Sequence, residues 1–171
     1  MLPLASNIVR GGSMNPEAGR RRPTLDEKDL RILEILLEDG RASFRDMARA
    51  LGMSDVAVRK RVLKLERLGA ILGYTAIVDP RALGYSVVSL TGVDVEPGEL
   101  LSVARALVAK PCVRSAWLTT GDHEIMLEIW AKDEEEMDAI LREIKEMPGV
   151  LRVCPAVVIE RLKPKGRGHS L

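Results

Sequence analysis

A chain of 171 residues with 46% hydrophobic and 30% charged side chains and a formal net charge of +1 has the make-up of one folded domain or two small soluble ones, not of a disordered segment. No apolar run approaches the ~18 residues that cross a bilayer, and the two cysteines, Cys112 and Cys154, sit in apolar, strand-like surroundings that suit buried small hydrophobes rather than a disulfide or a metal site. The small net charge conceals an asymmetry, since residues 1–69 hold 14 basic and 10 acidic side chains whereas residues 70–171 hold 12 and 15, so the first part is the one suited to a polyanion.

Residues 1–23 read as a flexible tail, too broken in its apolar patch to be the core of a signal peptide. Met14 offers a second possible start. A cytoplasmic protein is expected. The first helix is announced by "TLDEKDLRILEILLEDG": Thr24 and Glu27 have capping-box spacing, Leu25, Ile32, Leu33 and Leu36 make an apolar stripe, and Gly40 ends it. "SFRDMARALG" repeats the pattern, with Ser43 and Asp46 as cap and return and Phe44, Met47, Ala48 and Leu51 at helical spacing. "GMS" turns the chain, and Ser54 caps a third helix whose inward stripe is Val58, Val62 and Leu65.

Two helices joined by a short glycine-containing turn, the second of them basic, form the helix-turn-helix signature. At ~100° per residue, Val56, Lys60, Lys64 and Arg67 point away from the inward stripe and Arg59 lies on its flank. Arg61 lies nearer the core and suits an internal ion pair. The candidate contacts to double-stranded DNA are therefore Ser54, Val56, Ala57, Arg59, Lys60 and Lys64, with Val56 placed to meet a thymine methyl. The helix-turn-helix domain is expected over residues 24–72.

Residues 73–84 alternate like a strand and end in a proline turn, which reads as a connector. From Tyr85 to residue 163 the pattern is strand, helix, strand, turn, strand, helix, strand. That order is the ferredoxin-like split βαβ, an α+β domain with both helices on one face of an antiparallel sheet. In its central strand Ile125, Leu127 and Ile129 alternate with Met126, Glu128 and Trp130, so both faces look largely apolar. A face left that apolar calls for a second copy, and a two-fold dimer would supply twin helices to a palindromic site. "DEEE" at 133–136 reads as a helix cap and first turn favoured by the helix dipole. Residues 164–171 read as a basic tail. The scarcity of amide side chains, with no glutamine and only Asn7 and Asn15, suits a thermophile.

Taken together, "LDEKDLRIL", "DGRASFRDMARALGMS", "VRKRVLKLERLGAILGY" and "GDHE" resemble the Lrp/AsnC family of feast/famine transcriptional regulators. The resemblance implies a winged helix-turn-helix type domain, a linking strand, and a βαββαβ domain that senses a ligand, dimerises and often assembles further, to octamers. It also implies that a small effector, most often an amino acid, binds between protomers near the loop matched here by Thr119, Thr120, Gly121, Asp122, His123 and Glu124. That loop commonly reads Gly-Asp-Tyr-Asp in the family; here an imidazole replaces the phenol and a glutamate the aspartate. Asp122 and the backbone around Gly121 suit the ammonium and carboxylate of an amino acid, and His123 or Glu124 would select its side chain. The resemblance implies no catalytic residue, metal or cofactor. Two alternatives stay open: an effector-blind architectural DNA-binding protein, and an enzyme resembling the siroheme decarboxylases of this layout, for which His123 and His169 are the only histidines.

Overall fold

The computed structural model describes residues 24–162; the expected tails lie outside them. The chain divides between Thr75 and Ala76 into two units. The first holds α1 (Glu27–Glu38), α2 (Phe44–Leu51) and α3 (Asp55–Arg67). Its core is Ile32, Met47, Ala48, Val58, Val62 and Leu65, with Leu25, Leu33, Leu36, Phe44 and Leu51 packed half-buried around them. Each helix has thus turned its expected stripe inward.

The start of α1 corrects the sequence expectation. Asp26, not Thr24, is the cap: its carboxylate accepts the Asp29 N–H at 2.9 Å, and the Asp29 carboxylate accepts the Asp26 N–H in return at 3.4 Å. Two overlapping boxes compete for this turn. The one that wins has its last residue, Asp29, fully buried, where further partners await it. Ser43 and Ser54 cap α2 and α3 as expected, accepting from Asp46 N–H at 3.1 Å and Ala57 N–H at 3.2 Å. The Asp46 side chain, expected to return to the backbone, instead accepts from the Ser43 hydroxyl at 2.6 Å. Gly52 ends α2 at φ 60°, a left-handed conformation that disfavours a Cβ.

Residues 72–79 belong to no strand of the sheet among the described residues; alternation suits a residue run to pairing without saying where its partner lies. The proline turn that follows is a single 3₁₀ turn, Arg81–Leu83, closed by Gly84.

The second unit runs β1 (Val87–Val95), α4 (Leu100–Val108), β2 (Val113–Leu118), β3 (Ile125–Ala131), α5 (Glu134–Lys145) and β4 (Val150–Val157). Its four strands lie in the order β2-β3-β1-β4, every neighbouring pair antiparallel. This is the split βαβ read from the sequence. Val93, Val95, Ile125, Leu127, Ile129 and Ala131 from the sheet meet Val103, Leu107, Met137 and Ile144 from the helices in one core. Asp133 caps α5, and the glutamates after it fill the first turn, where the helix dipole favours them.

The opposite face of the sheet is less bare than expected. Glu128, in the middle of β3, is only 4% exposed: its carboxylate accepts from the Trp130 indole at 3.0 Å and the Ser115 hydroxyl at 3.3 Å, with the Arg161 guanidinium 3.6 Å away. Trp130 is flanked by Tyr85, and the Arg114 guanidinium stacks over both rings. Leu90 and Trp117 nevertheless stay more than 40% exposed. Cys112 and Cys154 are both half-buried and unpaired, and burial pushes the Cys112 thiol up.

Candidate functional site

Two groups of polar side chains stand out, one in each unit. In the first unit, α3 separates its basic residues by face. Val58, Val62 and Leu65 are buried, whereas Val56 is 62% exposed and Arg59, Lys60 and Arg67 also face solvent. The exposed positions lie about 100° apart per residue from the buried ones, as helix geometry requires. Lys60 makes no ion pair among the described residues. Ser54 is exposed but its oxygen is engaged as the cap, and Ala57, which donates to it, is half-buried.

Arg61 and Lys64 have other work. The Arg61 guanidinium reaches Asp26 at 2.6 Å and Asp29 at 2.6 Å, and the Lys64 ammonium reaches the second Asp29 oxygen at 2.7 Å. These bonds tie α3 to the start of α1. Burial by itself would raise the Asp29 pKa, but the bonds from Lys64 and Arg61 outweigh it and hold the carboxyl below its ordinary value. Asp26 is lowered too, chiefly by Arg61, and the Arg61 guanidinium is raised in turn. The internal role expected for Arg61 is therefore seen. Lys64, read from the sequence as a DNA-facing residue, shares it while keeping 46% of its side chain exposed. Arg59 takes a third course: its guanidinium carbon sits 5.0 Å from the centre of the Phe44 ring.

In the second unit the hairpin between β2 and β3 carries the expected effector residues. Thr119 N–H donates to the Glu124 carbonyl at 2.9 Å, and its hydroxyl donates to the His123 carbonyl at 2.5 Å. Gly121, at φ 135°, adopts a backbone that an L side chain rarely takes, which makes the tight turn possible. Thr120, Gly121 and Asp122 are exposed at its tip. Glu124 leans back, its carboxylate accepting from Val95 N–H at 3.3 Å.

His123 leaves the hairpin and lies over the sheet. A Cβ at Gly92 would come within 2.2 Å of its ring, so the imidazole occupies the space that only a glycine leaves open. Its Nδ1 is 2.7 Å from Asp94 Oδ1, and the other Asp94 oxygen accepts from Arg152 Nε at 2.5 Å. His123 first and Arg152 second hold the Asp94 carboxyl below its ordinary value, and Asp94 raises Arg152. The hairpin thus abuts a guanidinium, a carboxylate and an imidazole in a row. Gly92, Asp94 and Arg152 were not legible in the sequence; they stand 29 to 31 residues from His123 on strands that only sheet pairing brings together, Asp94 opposite Arg152 in the β1–β4 register.

The comparisons with known proteins agree with both units. Residues 25–66 match the model of the AsnC-type helix-turn-helix domain, and residues 89–167 that of the Lrp/AsnC ligand binding domain. The chain is 49% identical over 140 residues to the HTH-type transcriptional regulator LrpA of Pyrococcus abyssi, covering 81% of this chain and 99% of that one. It is 35% identical over 142 residues to the regulator FL11 of the same organism, covering 83% and 94%. Among solved structures, LrpC of B. subtilis superimposes with a TM-score of 0.75 at 27% identity, over 83% of this chain and 99% of that one. The regulator NMB0573 of Neisseria meningitidis, solved as a complex with L-Met, shares the fold with a TM-score of 0.77 at 22% identity, over 83% and 94%. A basic helix on a three-helix core, followed by a sheet unit of this order, therefore has relatives along almost its whole described length, and the chain belongs to the Lrp/AsnC family of transcriptional regulators, with a DNA-binding domain and a ligand-binding domain.

Proposed function

We propose that the protein binds operator DNA as a dimer and changes its grip or its assembly when an amino acid occupies the second unit. The observation that carries the DNA half is the division of α3: Val56, Arg59 and Lys60 exposed on one side, Val58, Val62 and Leu65 buried on the other. A helix so mounted enters the major groove with its first turns, where Arg59 and Lys60 meet base edges or phosphates and Val56 a thymine methyl. Ser54 and Ala57 lie at the entering end, and Lys64 approaches the backbone with the part of its side chain left in solvent.

The effector half rests on the hairpin and its neighbours. Asp122 is an exposed anion for an ammonium, and the Gly121 backbone together with Arg152 offers donors for a carboxylate. A structural neighbour was solved with L-Met, which makes an amino acid the first ligand class to try. The exposed Leu90 and Trp117 make the sheet face the surface on which a second copy, and from it a higher assembly such as an octamer, would form.

The test is binding of the purified protein to its own promoter region against scrambled DNA, at two salt concentrations, with and without a pool of amino acids. A sequence-selective complex altered by the pool is expected. Lys60→Ala should weaken the complex with the fold intact, and Asp122→Ala should abolish the response to the pool while sparing basal binding. Binding that ignores both sequence and pool would replace this proposal with an architectural role, and absence of binding would favour an enzyme of the same layout.

A further inference from the structure

Two of the three arginines of α3, Arg59 and Arg61, are held in different ways, and the difference bears on sequence recognition. Arg61 spends its Nη1 on the carboxylates of Asp26 and Asp29. Arg59 has no carboxylate partner among the described residues; it lies against the face of the Phe44 ring, 5.0 Å from its centre. A guanidinium is planar, with its five donors in its edge. A carboxylate partner occupies donors on that edge, here those of Nη1, whereas an aromatic face leaves the whole edge open and restricts only the plane.

Phe44 is suited to be such a platform. It is the only phenylalanine of the chain, it is the first residue of α2 directly after the Ser43 cap, and it is half-buried against the core of the helical unit. Its ring is therefore held from behind while its neighbour across the turn rests on it. A free arginine side chain has to be ordered on binding, at a cost in rotamer freedom.

We propose that Phe44 is a positioning residue that pre-orients Arg59 for reading a base edge, so that Phe44 governs sequence selectivity without itself contacting DNA. The proposal rests on α3 being the groove helix. In it Arg59 is the selective contact, bidentate to a guanine edge, and Lys60 is a contact indifferent to sequence.

The experiment uses the full chain and two duplexes: one enriched by the wild-type protein from a random-sequence pool, and one of the same composition shuffled. Arg59→Ala should cut the preference for the first duplex by roughly five- to a hundredfold. Phe44→Leu, which keeps an apolar side chain but removes the aromatic face, should cut it by about two- to fivefold and leave binding to the shuffled duplex unchanged. Phe44→Tyr should restore the preference, and Phe44→Leu added to Arg59→Ala should bring no further loss. If Arg59→Ala lowers selectivity and Phe44→Leu does not, the positioning role is refuted while the groove assignment stands. If Arg59→Ala itself leaves selectivity untouched, the assignment of Arg59 fails and the role of Phe44 with it. Should Phe44→Leu not fold, the Arg59 side-chain protons of the wild type decide: ring-current-shifted resonances support the stacked platform, and unshifted ones overturn it.

Discussion

Each unit holds a carboxylate clasped by two nitrogen-bearing side chains from another part of the chain, and the two clusters differ in depth. Asp29 is fully buried between Arg61 and Lys64, whereas the side chain of Asp94 keeps 16% of its surface between His123 and Arg152, with Arg152 itself 61% exposed. The same chemistry serves different ends at different depths. A buried carboxylate with all its bonding capacity satisfied penalises every arrangement of α1 and α3 that would leave it unpaired. A cluster at a surface is screened and contributes little to stability, but its groups stay within reach of a ligand.

That contrast can be broken most severely at Asp29. Asp29→Ala strands Arg61 and Lys64 and should cost the helical unit about 2–3 kcal/mol, less than for a wholly buried pair because both cations can turn to water. Chemical denaturation followed by circular dichroism should show it as an early transition, with the sheet unit unfolding at its former midpoint. Gly92→Ala should come next. The added Cβ would meet the His123 ring and evict it, at about 1–3 kcal/mol, and the imidazole resonances should change environment in an NMR spectrum.

Acid sharpens the same comparison. Asp26 and Asp29 have carboxyls held below the ordinary carboxylate value, so the fold binds fewer protons there than the unfolded chain does. Their contribution is complete above about pH 4 and drains away as pH falls through the lowered values. Thermal melts between pH 5 and pH 2 should show a weaker pH dependence in an Asp26→Asn, Asp29→Asn variant that still folds, with the loss confined to the helical unit. Asp94 titrates with the same sign, but solvent screening limits Asp94→Asn to about 1 kcal/mol. The smallest effect should be at Arg49, 3.6 Å from Asp46 with both side chains more than 60% exposed: Arg49→Ala should move the midpoint by less than about 0.5 kcal/mol.

What was legible in the sequence and what was not follow one rule. The stripes of α1, α2 and α3, the caps Ser43, Ser54 and Asp133, and the succession of strands and helices along the second unit all depend on neighbours a few residues away, and they are readable in the sequence. The sequence points to a capping box for α1 two residues early, because Thr24 with Glu27 and Asp26 with Asp29 are locally equivalent. The choice was made by Arg61 and Lys64, 32 and 35 residues further on. The linking strand was expected from alternation alone, which says nothing of a ladder partner. At the hairpin, the resemblance points to the residues at the tip, but the seat of His123 is invisible in the sequence, since Gly92, Asp94 and Arg152 meet it only once β1, β3 and β4 are laid side by side.

The glycine under the imidazole makes positions 92 and 123 a single steric unit, although they lie in different strands' neighbourhoods and 31 residues apart. A side chain can occupy that space from one position or from the other, not from both. On the effector role proposed above for this hairpin, varying residues 119–124 alone would therefore explore only the ring-sized half of the available designs. A library in which residue 92 grows as residue 123 shrinks would open the other half, where the floor of the site is built from the sheet instead of the turn.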